Sequence, residues 1–136
     1  MANIEEEQIK KIFKESKTVA VVGASPKSWR DSGQAVDFLR ARGYEVFPVN
    51  PNYTEVGGRK CFPNLQSIGR EIDIVDVFRN PADLSPIVDE SIAVKAKTLW
   101  LQLGVVNPGE QARAEAAGIV VIADRCIMVD YRFLMS

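Results

Sequence analysis

The strongest constraint on this chain is an alternation. Five short apolar runs, Val19–Val22, Tyr44–Val49, Ile72–Phe78, Thr98–Leu103 and Ile119–Ala123, are separated by stretches whose apolar residues fall at helical spacing. Runs such as Val19–Val22 are apolar at successive positions, which suits strands covered on both faces. Strands that alternate with helices dictate a parallel sheet with right-handed crossovers and helices on both sides. The expectation is an α/β fold: a three-layer, doubly wound, five-stranded parallel sheet with an extra N-terminal helix. At 136 residues the chain reads as one domain, with the N-terminal helix in 1–16 and the core in 17–136.

The helices have readable limits. The first spans about Ile4–Ser16, with Ile9, Ile12 and Phe13 on one stripe, and is expected to lie across the sheet. The second runs from about Gly33 to Arg42, places Ala35, Phe38, Leu39 and Arg42 on one side, and stops at Gly43. A third begins at Pro81, carries Leu84, Val88 and Ile92 inward, and reaches about Ala96. Asn107-Pro108-Gly109-Glu110 reads as a capping box with proline at the first helical position, opening a helix that ends by Gly118. Between the second and third strands, Gly57-Gly58 and Pro63 mark turns and Leu65–Ile68 forms a helical turn. The segment Asp124–Ser136 receives no element and reads as a tail.

Ligands of such sheets bind beyond the carboxyl ends of the strands, where the strand order reverses. That rule selects Gly23–Arg30, Asn50–Tyr53, Phe78–Asn80, Gln102–Val105 and Asp124–Cys126. In the first of these, Gly23 ends a buried strand and Asp31 and Ser32, good N-cap types, precede a helix. Amides at such a helix start attract phosphate, and Lys27 and Arg30 add two cations. Against this, Pro26 removes one donor, and Asp31 as N-cap would occupy the amides an anion needs. An ordinary strand-to-helix turn with solvated charges remains the alternative. A G-x-G-x-x-G dinucleotide fingerprint is incomplete, and Asn50 stands where an NAD(P) enzyme places an acidic residue for the ribose. An NAD(P)-binding redox module therefore ranks behind other nucleotide ligands.

Composition narrows the partners. Seventeen Lys and Arg against eighteen Asp and Glu give a net charge of −1, which does not indicate nucleic acid or an anionic membrane. No stretch reads as a signal peptide or a bilayer span. Cys61 and Cys126 lack disulfide or metal spacing, so a cytoplasmic protein is expected. With no histidine there is no histidine base, phosphohistidine or histidine-ligated zinc. Asp73, Asp76 and Asp124 form no metal-binding spacing, so no metal is expected. No nucleophile–base pair is legible, and no catalytic residue is assigned. Arg125 could lower the pKa of the Cys126 thiol, although a buried inert cysteine is the simpler reading. Trp29, a large ring in a polar loop, needs cover from a ligand, a second subunit or a neighbouring loop. A homodimer through Trp29 or the sheet edge is compatible with the sequence.

Several blocks carry a resemblance. GASPK-x-x-R-D-S after the first strand, FPVNPNY and GRKCFP around the second, DVFRNP after the third, KTLWLQLGVVN at the fourth and DRC after the fifth resemble the small stand-alone CoA-binding proteins. Their fold is Rossmann-like and similar to the first domain of the succinyl-CoA synthetase α-subunit. The resemblance implies non-catalytic binding of coenzyme A or acyl-CoA. Gly23, Ala24, Ser25, Pro26 and Lys27 with Arg30 would hold phosphates, and Asn50, Pro51 and Tyr53 would line the crevice beside the nucleotide. Phe78 and Arg79 would flank it, and Gln102 and Gly104 would approach the pantetheine arm. A synthetase-like interaction domain that needs a partner chain is the further alternative.

Overall fold

The computed structural model describes residues 5–27 and 30–136. Its main sheet is parallel, built from β1 (Thr18–Val22), β2 (Glu45–Val49), β5 (Ile74–Val77), β6 (Thr98–Leu101) and β7 (Val120–Ile122), in the order β2-β1-β5-β6-β7. Two short strands, β3 (Glu55–Val56) and β4 (Arg59–Lys60), form an antiparallel hairpin around Gly57-Gly58. The helices are α1 (Glu6–Glu15), α2 (Asp31–Ala41), α3 (Leu84–Ala93), α4 (Pro108–Ala116) and α5 (Ile127–Leu134). From β1 the chain first adds β2 on one side, then returns to add β5 on the other. The order therefore switches between β1 and β5, where Val22 lies level with both Val49 and Val77.

Alternation along the strands sorts two cores. Val19, Val21, Ile74, Trp100 and Ile122 face α1, α2 and α5, while Ala20, Val22, Val75, Val77, Leu99 and Leu101 face α3 and α4. The expected helix across the sheet is present: Ile9 and Phe13 of α1 are buried, and Phe13 stacks on Trp100 with ring centroids 5.4 Å apart. At the amino end of the sheet, Asp73 accepts the amides of Lys17 (2.7 Å) and Thr18 (3.2 Å), and Lys97 Nζ lies 3.2 Å away. Burial opposes the Asp73 charge, but these donors more than offset it and hold its carboxyl below the usual range.

Three readings are corrected. The supposed tail contains α5, whose Ile127 and Met128 are buried and whose Tyr131 ring sits among Phe13, Phe38 and Tyr44. Its period was hard to see because the eight-residue helix is apolar nearly all round, with Val129 and Phe133 left exposed. The capping box at α4 is only half formed. Asn107 Oδ1 accepts the Glu110 amide at 3.3 Å, but the Asn107 amide donates to Gln111 Oε1 (2.9 Å) rather than to Glu110. Glu110 instead pairs with Arg113 (2.7 Å), which also reaches Asp89 and clips α4 to α3. The third helix is shorter than expected, since Pro81–Asp83 form a 3₁₀ turn before it.

Candidate functional site

The switch point is shaped by one glycine. Gly23 has φ +86°, and a Cβ there would sit 2.5 Å from the carbonyl oxygen of Phe78. Only a residue without a side chain lets the ends of β1 and β5 approach this closely. The Gly23 and Ala24 amides both donate to the Val49 carbonyl, at 2.9 and 3.3 Å. Asn50, just beyond β2, donates from Nδ2 to the Ala24 carbonyl (3.0 Å) and accepts the Asn52 amide on Oδ1 (2.9 Å). Asn50 thus works as a latch between two loops, its carboxamide engaged at both ends.

This corrects part of the phosphate argument. The amides of Gly23, Ala24, Lys27 and Arg30 are all bonded within the protein, the last two to Ser25 Oγ (3.1 Å) and the Lys27 carbonyl (3.0 Å). The loop therefore offers an anion its side chains, beside the start of α2. Arg30, not Asp31, occupies the N-cap position, and no side chain caps the helix. Asp31 is the first helical residue, so the competition expected from an Asp31 cap is absent. Gly33 brings the helix against the loop: a Cβ there would meet the Lys27 carbonyl at 2.6 Å and that of Ser25 at 3.0 Å. The expectation for Trp29 lies outside the described residues.

Three adjoining hollows occupy the carboxyl edge. The first, about 330 Å³, lies between the β1 loop and the end of β2 and is lined by Gly23, Ser25, Lys27, Arg30, Asp31, Ser32, Asn50, Tyr53 and Phe78. The second, about 240 Å³, is mostly apolar and contains Val22, Val49, Leu65, Ile87 and three prolines, Pro51, Pro63 and Pro86. The third is a cleft of about 600 Å³ lined by residues that include Phe78, Arg79, Gln102, Gly104, Cys126, Met128 and Val129. Gly23 is shared by the first two, Asp31 and Phe78 by the first and third, and Arg79 by the second and third. Of the residues that the resemblance assigned to the ligand, Ala24 and Pro26 line none of these three. Ala24 packs in the core and Pro26 is exposed.

The remaining polar groups have definite partners. Arg79 Nη2 lies 3.2 Å from Asp83, one turn along the chain, on the surface. Arg125 makes a two-point bond with Asp130 (2.7 and 2.9 Å), so the cation beside Cys126 is already neutralised. Asp124, at φ +59°, accepts the Gly104 amide at 2.8 Å and ties two strand-end loops together. Burial pushes the Cys61 thiol up, although hydrogen bonds around Asn50 and Phe62 oppose it. Asp76 is fully buried at the end of β5, bonded through Oδ1 to Gln102 Nε2. Burial pushes its carboxyl up to about 7, against the opposing bond from Gln102. Among the described residues no group of His, Cys, Asp and Glu could hold a metal ion, and no helix is long and apolar enough to cross a membrane.

The sequence left several lining residues unmarked. Met128 and Val129 went unseen with α5, and Pro63 and Pro86 looked like plain turn and helix residues. Gly33 had one available signal, a second glycine ten residues beyond Gly23 at the opening of a helix.

A family model described as a CoA binding domain matches residues 17–132. The Bacillus subtilis (strain 168) uncharacterized protein YneT is 37% identical over 129 residues, 95% of this chain and 96% of that one. An ADP-forming acetate–CoA ligase of Archaeoglobus fulgidus is 36% identical over 111 residues, 80% of this chain but 16% of the ligase. A hypothetical protein from Pyrococcus horikoshii OT3 superposes with a TM-score of 0.95 at 38% identity, covering 98% of this chain and 94% of that one.

Proposed function

Since the chain belongs to the CoA binding domain family, we propose that its strand ends bind coenzyme A or an acyl-CoA, without turning it over by themselves. One observation carries this reading: three hollows of different chemistry share walls at the switch point. The hollow with Lys27 and Arg30 suits phosphates, since it sets two cations beside the start of α2. The proline-lined hollow suits a flat base, since it offers apolar faces, with Arg79, Asp83 and Glu90 also in its lining. The 600 Å³ cleft has room for the pantetheine arm, and Gln102 and Cys126 are among the residues that line it. The glycines at 23 and 33 leave both loops close-packed around this edge, so the donor set and the shape fit the ligand together. Two free cysteines accord with a reducing, cytoplasmic setting.

Calorimetric titration of the full chain with CoA, beside NADH, tests the reading. CoA is expected to bind and NADH to bind more weakly. Replacing Lys27 or Arg30 by alanine is expected to weaken CoA roughly ten- to a hundredfold, the effect of one charged hydrogen bond, and more steeply at low salt. A preference for NADH, or no heat with millimolar CoA, would overturn it.

A further inference from the structure

Asp76 is the one carboxyl in the central strand, with no exposed surface, and its Oδ2 has no hydrogen-bond partner among the described residues. A buried carboxyl with an orphaned oxygen is costly in a position where leucine or valine would pack. Its single bond is to Gln102, which is nearly buried as well but lines the 600 Å³ cleft. The Gln102 backbone is fixed, since its amide donates to the Val77 carbonyl (3.3 Å) and its carbonyl accepts the Val105 amide (2.9 Å). The remaining freedom is which end of the carboxamide faces the cleft. A charged Asp76 can only accept a hydrogen bond, so it draws Nε2 inward and leaves Oε1 to the cleft. A neutral Asp76 can instead donate to Oε1, and the preference is lost.

We propose that Asp76 is a positioning residue that orients Gln102, so that the cleft presents a hydrogen-bond acceptor to an amide N–H of the ligand arm. The proposal rests on the CoA reading, whose pantetheine arm carries two such amides. Because burial raises the Asp76 carboxyl to about 7, the orientation is expected to change across neutral pH. Val21 and Trp100 stand level with Asp76 on the neighbouring strands. The titratable groups at this end of the covering helices are Asp31 on α2, Cys126, Asp130 and Tyr131 in and before α5, and Glu6 on α1. Arg125 is held by Asp130, and Arg79 by Asp83 at the rim.

The test compares wild type with Asp76→Asn, titrated with CoA and with adenosine 3′,5′-bisphosphate at pH 6 and pH 8. The bisphosphate has no amide arm; its 5′-monoester also loses a proton near pH 6, as the pyrophosphate of CoA does not, so each ligand's pH effect is read against the same ligand on Asp76→Asn. Between pH 6 and pH 8 wild type is expected to gain about three- to tenfold more affinity for CoA than the variant does. For the bisphosphate, wild type and variant are expected to change alike. Equal changes for CoA in wild type and variant, or a difference seen equally with both ligands, overturn the proposal. The side-chain amide signals of Gln102 in the ligand-free protein give a second readout. They are expected to titrate near neutrality in wild type and not in Asp76→Asn, and signals flat with pH overturn the proposal whether or not CoA binds. Failure of wild type to bind CoA, with Gln102 still titrating, removes the CoA reading and the ligand named here while leaving the Asp76–Gln102 coupling.

Discussion

Gly23→Ala tests the idea that the site exists only because two strand ends touch. At φ +86° an alanine is strained whatever surrounds it, at about 1–3 kcal/mol. The new Cβ also meets the Phe78 carbonyl oxygen at 2.5 Å. That carbonyl has little room to withdraw, because the Phe78 amide is bonded to the Val22 carbonyl at 2.9 Å and β5 is the central strand. Overpacking of this kind adds roughly 1–3 kcal/mol. The sum, about 2–6 kcal/mol, corresponds to a melting temperature lower by roughly 7–21 °C for a chain of this size. Differential scanning calorimetry at neutral pH reads it directly. A decrease under about 2 °C would show that the crossing yields, and that Gly23 is a convenience of the turn and not its cause.

Two other substitutions have different signatures. Gly33→Ala has ordinary helical backbone, and its clashes are with carbonyls of a loop, so the loop can shift. It is expected to cost under about 2 kcal/mol of stability but to weaken CoA by tenfold or more, and equal affinity in calorimetry would refute the loop's role. Asp73→Asn removes the charged acceptor for two backbone amides and is expected to cost about 1–3 kcal/mol at pH 7. The folded-state carboxyl is held below its unfolded value, so this stability is present above the ordinary carboxylate range and is lost as pH falls through the folded pKa. Urea titrations should therefore show the gap between variant and wild type closing in acid, and a gap independent of pH would contradict it.

How far the sequence reached depended on whether a signal was local. The five strands were legible because apolar runs such as Val19–Val22 are bounded by glycine or by turn residues, although Tyr44, Ile72, Phe78, Leu103, Ile119 and Ala123 fall one or two residues outside the strands. α5 was not legible, since Val129 and Phe133 blur its face and only the rings of Phe13, Phe38 and Tyr44 show which side of Tyr131 is inward. The strand-end rule brought Asn50, Phe78 and Gln102 to one edge, but which amides of the Gly23 loop were already used depended on Val49, 26 residues away. Asp76 was read only as an unsuitable metal ligand, because its pairing with Gln102 is made between strands and leaves no mark in spacing.

The Asn50 latch has a mechanical consequence. A single carboxamide clasps the turn after β1 and the turn after β2, so these two segments form one body and neither can open alone. A ligand that presses on either is felt by the other, and exchange of the Asn52 amide should slow together with that of its neighbours across the latch when the edge is filled. If the edge binds CoA as proposed, contact at the phosphate end would stiffen the wall around the base through this one side chain.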